Sequence, residues 1–170
     1  MEGLIHINWI ALLVASLIPF VTGFIFYHPK VAGTKWMVAA GLTEEQLKGA
    51  NMGLIFGVSF ILNFMIAFGI QFFVIHQWGM IGVLMGGQDA MNPSSEAAQT
   101  ARTLFEKYGN NFRTFKHGAM HGGFAGLLIA SAIIGVNSMF ERRSFSYILI
   151  NGIYWIITLA LVGGLVCAWV

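Results

Sequence analysis

The chain has 170 residues, of which 57% are hydrophobic and only 9% carry a charge. Soluble domains carry charge on about a quarter of their residues, so this composition excludes an ordinary soluble domain. The net charge of +2 is too small to indicate a nucleic-acid partner. The single cysteine, Cys167, cannot form an internal disulfide, and its place in an apolar segment indicates a packing role.

Four long uncharged windows cover residues 3–29, 49–88, 117–140 and 144–170. A helix needs about 20 apolar residues to cross a bilayer. The window at 49–88 scarcely fits two crossings and a turn, so we assign it one span followed by a loop. The sequence predicts an all-α polytopic membrane protein, one membrane domain over 1–170. It forms an up-down bundle of four transmembrane helices, at about 4–27, 50–75, 115–140 and 144–169.

The first span has a polar side and a proline near its end. One arc of the helix carries its polar and small residues, namely Asn8, Ser16, Pro19, Thr22 and Gly23. Hydrocarbon cannot satisfy polar groups, so this arc is expected to face the bundle. Pro19 removes a backbone hydrogen bond, which predicts a kink or loosened last turns. No basic region precedes the span, so we expect it to be retained rather than cleaved as a signal peptide.

Loop one and span two carry a capping signal and a small-residue pair. Thr43 and Gln46 have the spacing of a capping box, which predicts a short helix before span two. Gly53 and Gly57 then form a GxxxG pair. Such a pair predicts a groove for helix packing, and the alternative is a ligand site lined by backbone.

Loop two contains a segment with the pattern of an amphipathic helix at about 94–108. Ser94 and Glu96 suit a helix start, and apolar residues recur on one face as far as Tyr108. This helix is predicted to cap the mouth of the bundle, the alternative being that it lies along the membrane interface.

Span three carries a stripe of small residues, Gly118, Gly122 and Gly126, at four-residue steps. This spacing lets another helix approach closely, so we expect span three to be the packing centre. Loop three is only the turn 141–143, which makes spans three and four antiparallel neighbours.

His117 and His121 lie four residues apart, a spacing found in metal and haem ligands. A metal needs a third ligand, for which His28, His76 and Glu106 are candidates. Of these, His76 and Glu106 are expected on the same side of the membrane as His117. We interpret the pair as interfacial histidines and predict no metal and no cofactor. A ligand or proton site in a transport path, and a metal or haem site, are the alternatives.

Each span also contributes buried amides, a set made up of Asn8, Asn63, Gln71, Asn137 and Asn151. Such amides either form hydrogen bonds between helices or line a polar cavity for a small solute. Orientation follows from the Lys and Arg residues: the first span has none before it and two soon after it. We therefore place loops one and three in the cytoplasm and both termini outside.

Two stretches resemble a known family. The first has an aromatic-Tyr-x-Pro motif followed by Gly-x-x-Trp, carried here by Tyr27, Pro29, Gly33 and Trp36. The second follows span three, and its matching residues are Phe140, Glu141, Arg143 and Tyr154. Both stretches resemble the bacterial DUF1761 family of small integral membrane proteins. The resemblance implies a four-helix fold in the bacterial inner membrane and brings no activity or site residues with it.

No Ser-His-Asp arrangement, phosphate loop or acidic pair can be drawn from this sequence, so we do not expect an enzyme. The favoured hypothesis is a non-enzymatic helical module that packs in the lipid bilayer with itself, as a homo-oligomer, or with a partner membrane protein. The alternative is a small-solute or lipid-like ligand binder or permease with an amide-lined interior. A membrane redox enzyme with histidine ligands is the third hypothesis.

Overall fold

The computed structural model describes residues 6–84 and 92–170, and this part of the chain is helical with no strand. Four helices are long and apolar enough to cross a membrane, which confirms the predicted all-α fold with four spans. We number them span 1 to span 4: Trp9–Phe26, Met52–Val74, Phe115–Phe140 and Phe145–Ala168. The predicted start of span 1 near residue 4 lies outside the described residues.

Shorter segments connect or interrupt these spans. The α-helical segments are Trp9–Ala15, Ile18–Phe26, Thr34–Ala40, Glu44–Lys48, Met52–Val74, Gln77–Leu84, Glu96–Tyr108, Phe115–Ala125, Ser131–Phe140 and Phe145–Ala168. Two π-helical turns occupy Pro29–Gly33 and Gly126–Ala130.

Span 1 is broken into two segments around Ser16 and Leu17. Pro19 has no N–H to donate to the Ala15 carbonyl, four residues back, so the helix opens one turn before the proline. Pro19 is therefore accompanied by a break in the helix in the turn before it. The Ser16 hydroxyl donates to the Leu13 carbonyl at 2.6 Å, and this bond satisfies the Ser16 side chain at the break.

Loop one is built from short capped helices. The predicted capping box is present: the Gln46 N–H donates to Thr43 Oγ1 at 3.3 Å, and the Thr43 N–H donates to Gln46 Oε1 at 2.9 Å. It begins the helix Glu44–Lys48. Gly41, with a φ of 67°, ends the preceding helix in the left-handed conformation that favours glycine.

The described part of loop two contains two helices where we expected one. Gln77–Leu84 is helical, although we expected a loop after span 2. The predicted amphipathic helix is present at Glu96–Tyr108, with Ser95 rather than Ser94 as its N-cap. It packs against Gln77–Leu84 through a face that includes the buried residues Ala98 and Ala101. The apolar segment after span 2 is thus used to pack against a second short helix.

Span 3 changes register at its π-helical turn. The Ser131 N–H donates to the Gly126 carbonyl five residues back, so this turn holds one residue more than an α-helical turn. Side chains beyond it are rotated by about 100° from where a straight α-helix would place them. Ser138 is therefore buried, whereas Asn137, expected near the glycine face, is exposed.

Span 4 lies at the centre of the bundle, where it contacts the other three spans. It is also the most buried of the four. We expected span 3 in this position, and that expectation is wrong because the glycines of span 3 form a surface on which span 4 lies. The buried face of span 4 includes Thr158, Val162, Val166 and Cys167.

The outer surface of the bundle is apolar along all four spans. Large side chains such as Phe24, Leu54, Leu128 and Phe145 are well exposed. An apolar surface of this extent is characteristic of contact with lipid rather than with water. The chain therefore has the features of a multi-pass membrane protein.

Candidate functional site

The predicted glycine stripe of span 3 is in contact with the backbone of span 4. A Cβ atom on Gly118 would meet the Gly163 carbonyl oxygen, and one on Gly122 would meet the Leu159 carbonyl oxygen. On Gly126 it would lie 2.6 Å from Ile156 Cα. Real Cβ contacts do not come so close, so these positions require glycine. The glycine stripe of span 3 is thus covered by span 4 of the same chain.

The glycine pair of span 2 has no such neighbour. A Cβ atom on Gly57 would meet nothing within 4 Å, and one on Gly53 would meet only Asn51 Oδ1, at 3.5 Å. All the buried residues of span 2 lie in its second half, from Asn63 onward. The first half of span 2 is therefore largely exposed, although its Phe56 ring lies 5.5 Å from the Phe20 ring of span 1. No described residue covers its small-residue pair.

The predicted amides differ in their surroundings within the described part of the chain. Asn8 caps the first helix by accepting the Ala11 N–H at 2.9 Å. Gln71 donates to the Phe68 carbonyl of its own helix at 2.9 Å. Asn151 accepts from the Tyr27 hydroxyl and donates to the Tyr147 carbonyl, both at 2.8 Å. Asn8, Gln71 and Asn151 therefore each have a hydrogen-bond partner in their own helix, and Asn151 has a second partner in Tyr27.

Asn63 is the exception among the buried amides. The residue as a whole is 7% exposed, and its side chain has no hydrogen-bond partner among the described residues. The buried side-chain nitrogen or oxygen that lacks a partner in the described part of the chain is Trp78 Nε1, not an atom of Asn63. It lines a groove of about 470 Å³ at the outer surface between spans 2 and 4, together with Ser59, Leu62, Met65, Ile66 and Trp155. A polar group that enters this groove could form a hydrogen bond with the amide, and such bonds between membrane helices contribute about 0.6 kcal/mol on average.

Three histidines come together at the surface where span 2 ends and span 3 begins. His76 joins the predicted pair His117 and His121, and one ring nitrogen of each lies within 4.8 Å of the others. The Nε2 atoms of His76 and His117 are 2.9 Å apart, a hydrogen bond in which one imidazole must donate and the other accept. The ring centroids are 4.5–4.9 Å apart. His28 and Glu106 are not in this cluster.

The chain before and after the cluster holds it in place. Gln77 is buried next to His76, and its Nε2 donates to the Gly109 and Asn111 carbonyls at 2.8 and 2.9 Å. Phe112 has a φ of 63°, and its ring centroid lies 5.0 Å from that of His117. The sequence indicates His76 as a candidate ligand but gives no signal for Gln77 and Phe112, whose contacts depend on the fold of loop two.

Arg113 connects the surface that carries the histidine cluster to the end of span 4. Its Nε donates to the Cys167 carbonyl at 2.7 Å. Burial lowers the pKa of the Arg113 guanidinium, which still stays protonated at physiological pH. The Cys167 thiol in turn donates to the Val74 and Phe112 carbonyls, each at 3.3 Å. These hydrogen bonds thus connect the end of span 2, the segment before span 3 and the end of span 4 beside the histidine cluster.

A family model described as "Protein of unknown function (DUF1761)" matches residues 10–167. The chain belongs to the DUF1761 family. No curated protein and no solved structure matches it. The family assignment confirms the resemblance drawn from the two motif stretches, and the function of the family is unknown.

The first DUF1761 motif stretch forms an aromatic cluster at the loop-one end of the bundle. The Tyr27 ring lies 5.4 Å from that of Trp36 and 5.0 Å from that of Tyr154. The Tyr154 hydroxyl donates to the Pro19 carbonyl at 2.8 Å. Pro29 opens the π-helical turn, and Gly33 closes it where a Cβ atom would meet the Tyr27 carbonyl. These DUF1761 residues therefore join loop one to span 4.

The second DUF1761 stretch also contacts loop one, through the side chain of Arg143. Arg143 donates through Nη1 to the Ala40 carbonyl at 2.7 Å and pairs with Glu141 at 3.5 Å. Phe140 is almost fully exposed. The DUF1761 motif residues thus concentrate at the end of the bundle opposite the histidine cluster, where Tyr27 and Arg143 make structural bonds.

Proposed function

We propose that this DUF1761 protein is a non-enzymatic membrane module that associates with a second copy of itself through the groove beside Asn63. The observation that carries the proposal is the amide of Asn63, which has no hydrogen-bond partner within the described residues and lines the open groove on the lipid side. Lipid acyl chains offer no hydrogen-bond donor or acceptor, so the bilayer core cannot satisfy this amide. A polar group from another helix can.

A second copy is the occupant that fits the membrane geometry. Copies inserted with the same orientation are related by an axis along the membrane normal, so equivalent residues lie at the same depth. An amide is both a donor and an acceptor, and Asn63 of one copy can therefore pair with Asn63 of the other. The groove is also lined by Leu62 and Met65, whose exposed side chains offer apolar surface for the same contact.

Gly53 and Gly57 lie on a different side of span 2 from Asn63. Asn63 comes ten positions after Gly53 and six positions after Gly57. These separations place it about 80° and 120° away from the two glycines around the helix. This second uncovered side suits a close helix approach in a larger assembly or with a partner membrane protein. The association proposed above does not depend on it.

The alternative function, a small-solute or lipid-like ligand binder, draws less support from the amides. Asn63 faces the outer groove, Asn137 is exposed and Asn151 is bonded to Tyr27. Their separate surroundings give an amide-lined permeation path little support. We also propose that loops one and three face the cytoplasm of a bacterial inner membrane, because two lysines follow span 1 and none precede it.

Native mass spectrometry in a mild detergent tests the association. We expect wild type to contain a dimer whose fraction falls in Asn63→Leu. Interhelical hydrogen bonds in membranes contribute about 0.6 kcal/mol on average, so each lost bond weakens the dimer roughly threefold. Asn137→Leu is the matched control, since it makes the same change on an exposed position of span 3.

Two results would overturn the proposal. One is a monomeric wild type in detergents of several chain lengths. The other is an equal loss of dimer in Asn63→Leu and in Asn137→Leu. A monomer that retains one lipid molecule, which Asn63→Leu releases, would favour the ligand-binding alternative instead.

A further inference from the structure

We propose that His76, His117 and His121 form a binding site for a divalent d-block metal ion of the Zn²⁺ class. The proposal is independent of the association described above. It rests on three imidazoles from two separate parts of the chain that meet at one membrane surface. The sequence pattern favoured interfacial histidines and predicted no metal, because spacing alone supplies only two of the three ligands.

The distances between the imidazoles suit a tetrahedral ion after small side-chain rotations. Zinc–nitrogen bonds are about 2.0–2.1 Å long, which sets neighbouring ligand nitrogens about 3.4 Å apart in a tetrahedron. The nitrogens of the cluster lie within 4.8 Å of one another, and those of His76 and His117 are 2.9 Å apart. An ion would therefore replace the present hydrogen bond by separating the His76 and His117 nitrogens slightly, and the His121 ligand nitrogen lies within 4.8 Å of the other two.

The backbone beneath the three ligands is already fixed. His117 and His121 lie one turn apart on a helix whose first turn is capped by the Thr114 side chain. Gly118 and Gly122 hold that helix against span 4. The two hydrogen bonds from Gln77 hold the chain next to His76. A site that is formed before the ion binds loses little conformational entropy on binding.

The ligand set selects the class of ion. Imidazole nitrogen suits Zn²⁺, Cu²⁺, Ni²⁺ and Co²⁺, whereas Mg²⁺ and Ca²⁺ require oxygen ligands, and the cluster contains none. His76 is exposed, so a fourth position is open to water or to an anion. Arg113 is the arginine that is nearest to the histidine cluster along the chain. Its guanidinium donates a hydrogen bond to the Cys167 carbonyl, so its positive charge lies at the end of span 4.

Such an ion would join the end of span 2 to the start of span 3. His76 follows span 2 directly, and the other two ligands lie in the first two turns of span 3. Coordination would therefore close this end of the bundle more firmly than the single His76–His117 hydrogen bond. The expected consequence is a higher melting temperature in the presence of the metal, because an ion that binds only the folded state stabilises it.

The test uses the purified full chain in detergent, stripped of metal with a chelator. Calorimetric titration with Zn²⁺ should show one ion per chain, and Co²⁺ should produce the visible absorption of a tetrahedral complex. We expect His76→Ala, His117→Ala and His121→Ala each to weaken binding by about tenfold or more, since even the loss of a ligand's supporting partner costs that much. His6→Ala and His28→Ala are the matched controls, because both histidines lie outside the cluster.

The melting temperature of each variant without metal shows whether it folds. The proposal is overturned if wild type binds no Zn²⁺, or if the cluster variants fold and bind as tightly as His6→Ala. It is also overturned if His6→Ala or His28→Ala loses as much affinity as the cluster variants. Asn63→Leu should keep full metal binding, so failure of the association proposal leaves this test unaffected.

Discussion

The closest contact between spans 3 and 4 makes a sharp prediction for Gly122→Ala. The added Cβ atom would meet the Leu159 carbonyl oxygen, would lie 2.9 Å from the Leu159 carbonyl carbon and would lie 3.3 Å from Ala160 Cα. All three are backbone atoms, so no flexible side chain can move aside. The two helices must separate instead, and a gap of about 0.5–1 Å forfeits a quarter to a half of each dispersion contact across it.

Overpacking of this kind costs about 1–3 kcal/mol. Lipid is as apolar as the helix surface, so little hydrophobic free energy opposes the separation. The matched control is Gly123→Ala, whose Cβ atom would meet only Ala160 Cβ at an ordinary 3.8 Å. Both variants gain the same helix propensity, and their difference isolates the clash.

The assay is thermal unfolding of both variants in the same detergent. For a chain of this size 1 kcal/mol corresponds to roughly 2–4 °C, so Gly122→Ala should melt about 2–12 °C below Gly123→Ala. Gly122→Leu should be lower still. Equal melting temperatures for the two alanine variants would refute the close packing of span 4 on the glycine stripe.

Three further predictions concern the loop-one end of the bundle. Arg143→Gln should lower stability by about 1 kcal/mol, because a loop-one carbonyl loses a charged donor, whereas Arg142→Gln should melt like wild type. Tyr27→Phe leaves the Asn151 oxygen without its donor and should cost about 1–3 kcal/mol, with Tyr147→Phe as the control for loss of a hydroxyl. Arg142→Cys in a cysteine-free background should react with an impermeant maleimide only after cells are opened, and labelling of intact cells would reverse the proposed orientation.

Much of the architecture follows from the sequence alone. Charge-free windows predicted four spans, since the cost of placing charge in hydrocarbon is large and local. The capping box at Thr43 is also present, because capping depends on residues three positions apart. These features require no knowledge of how the spans pack.

The features that the sequence did not predict depend on packing or on small changes of register. The π-helical turn of span 3 adds one residue, which moves burial from Asn137 to Ser138. Nothing in the pattern of glycines signals that insertion. Span 4 became the packing centre because its partners, Gly118, Gly122 and Gly126, lie on a different helix. The three-histidine cluster likewise depends on loop two, which turns His76 toward span 3.

Disulfide crosslinking in native membranes tests the proposed association most directly. In a cysteine-free background, Ser59→Cys places a thiol in the groove beside Asn63, whereas Phe24→Cys places one on the exposed surface of span 1. Mild oxidation should convert Ser59→Cys into a band of twice the monomer mass and leave Phe24→Cys monomeric. The same yield from both variants, or no dimer from Ser59→Cys, would contradict association through this groove.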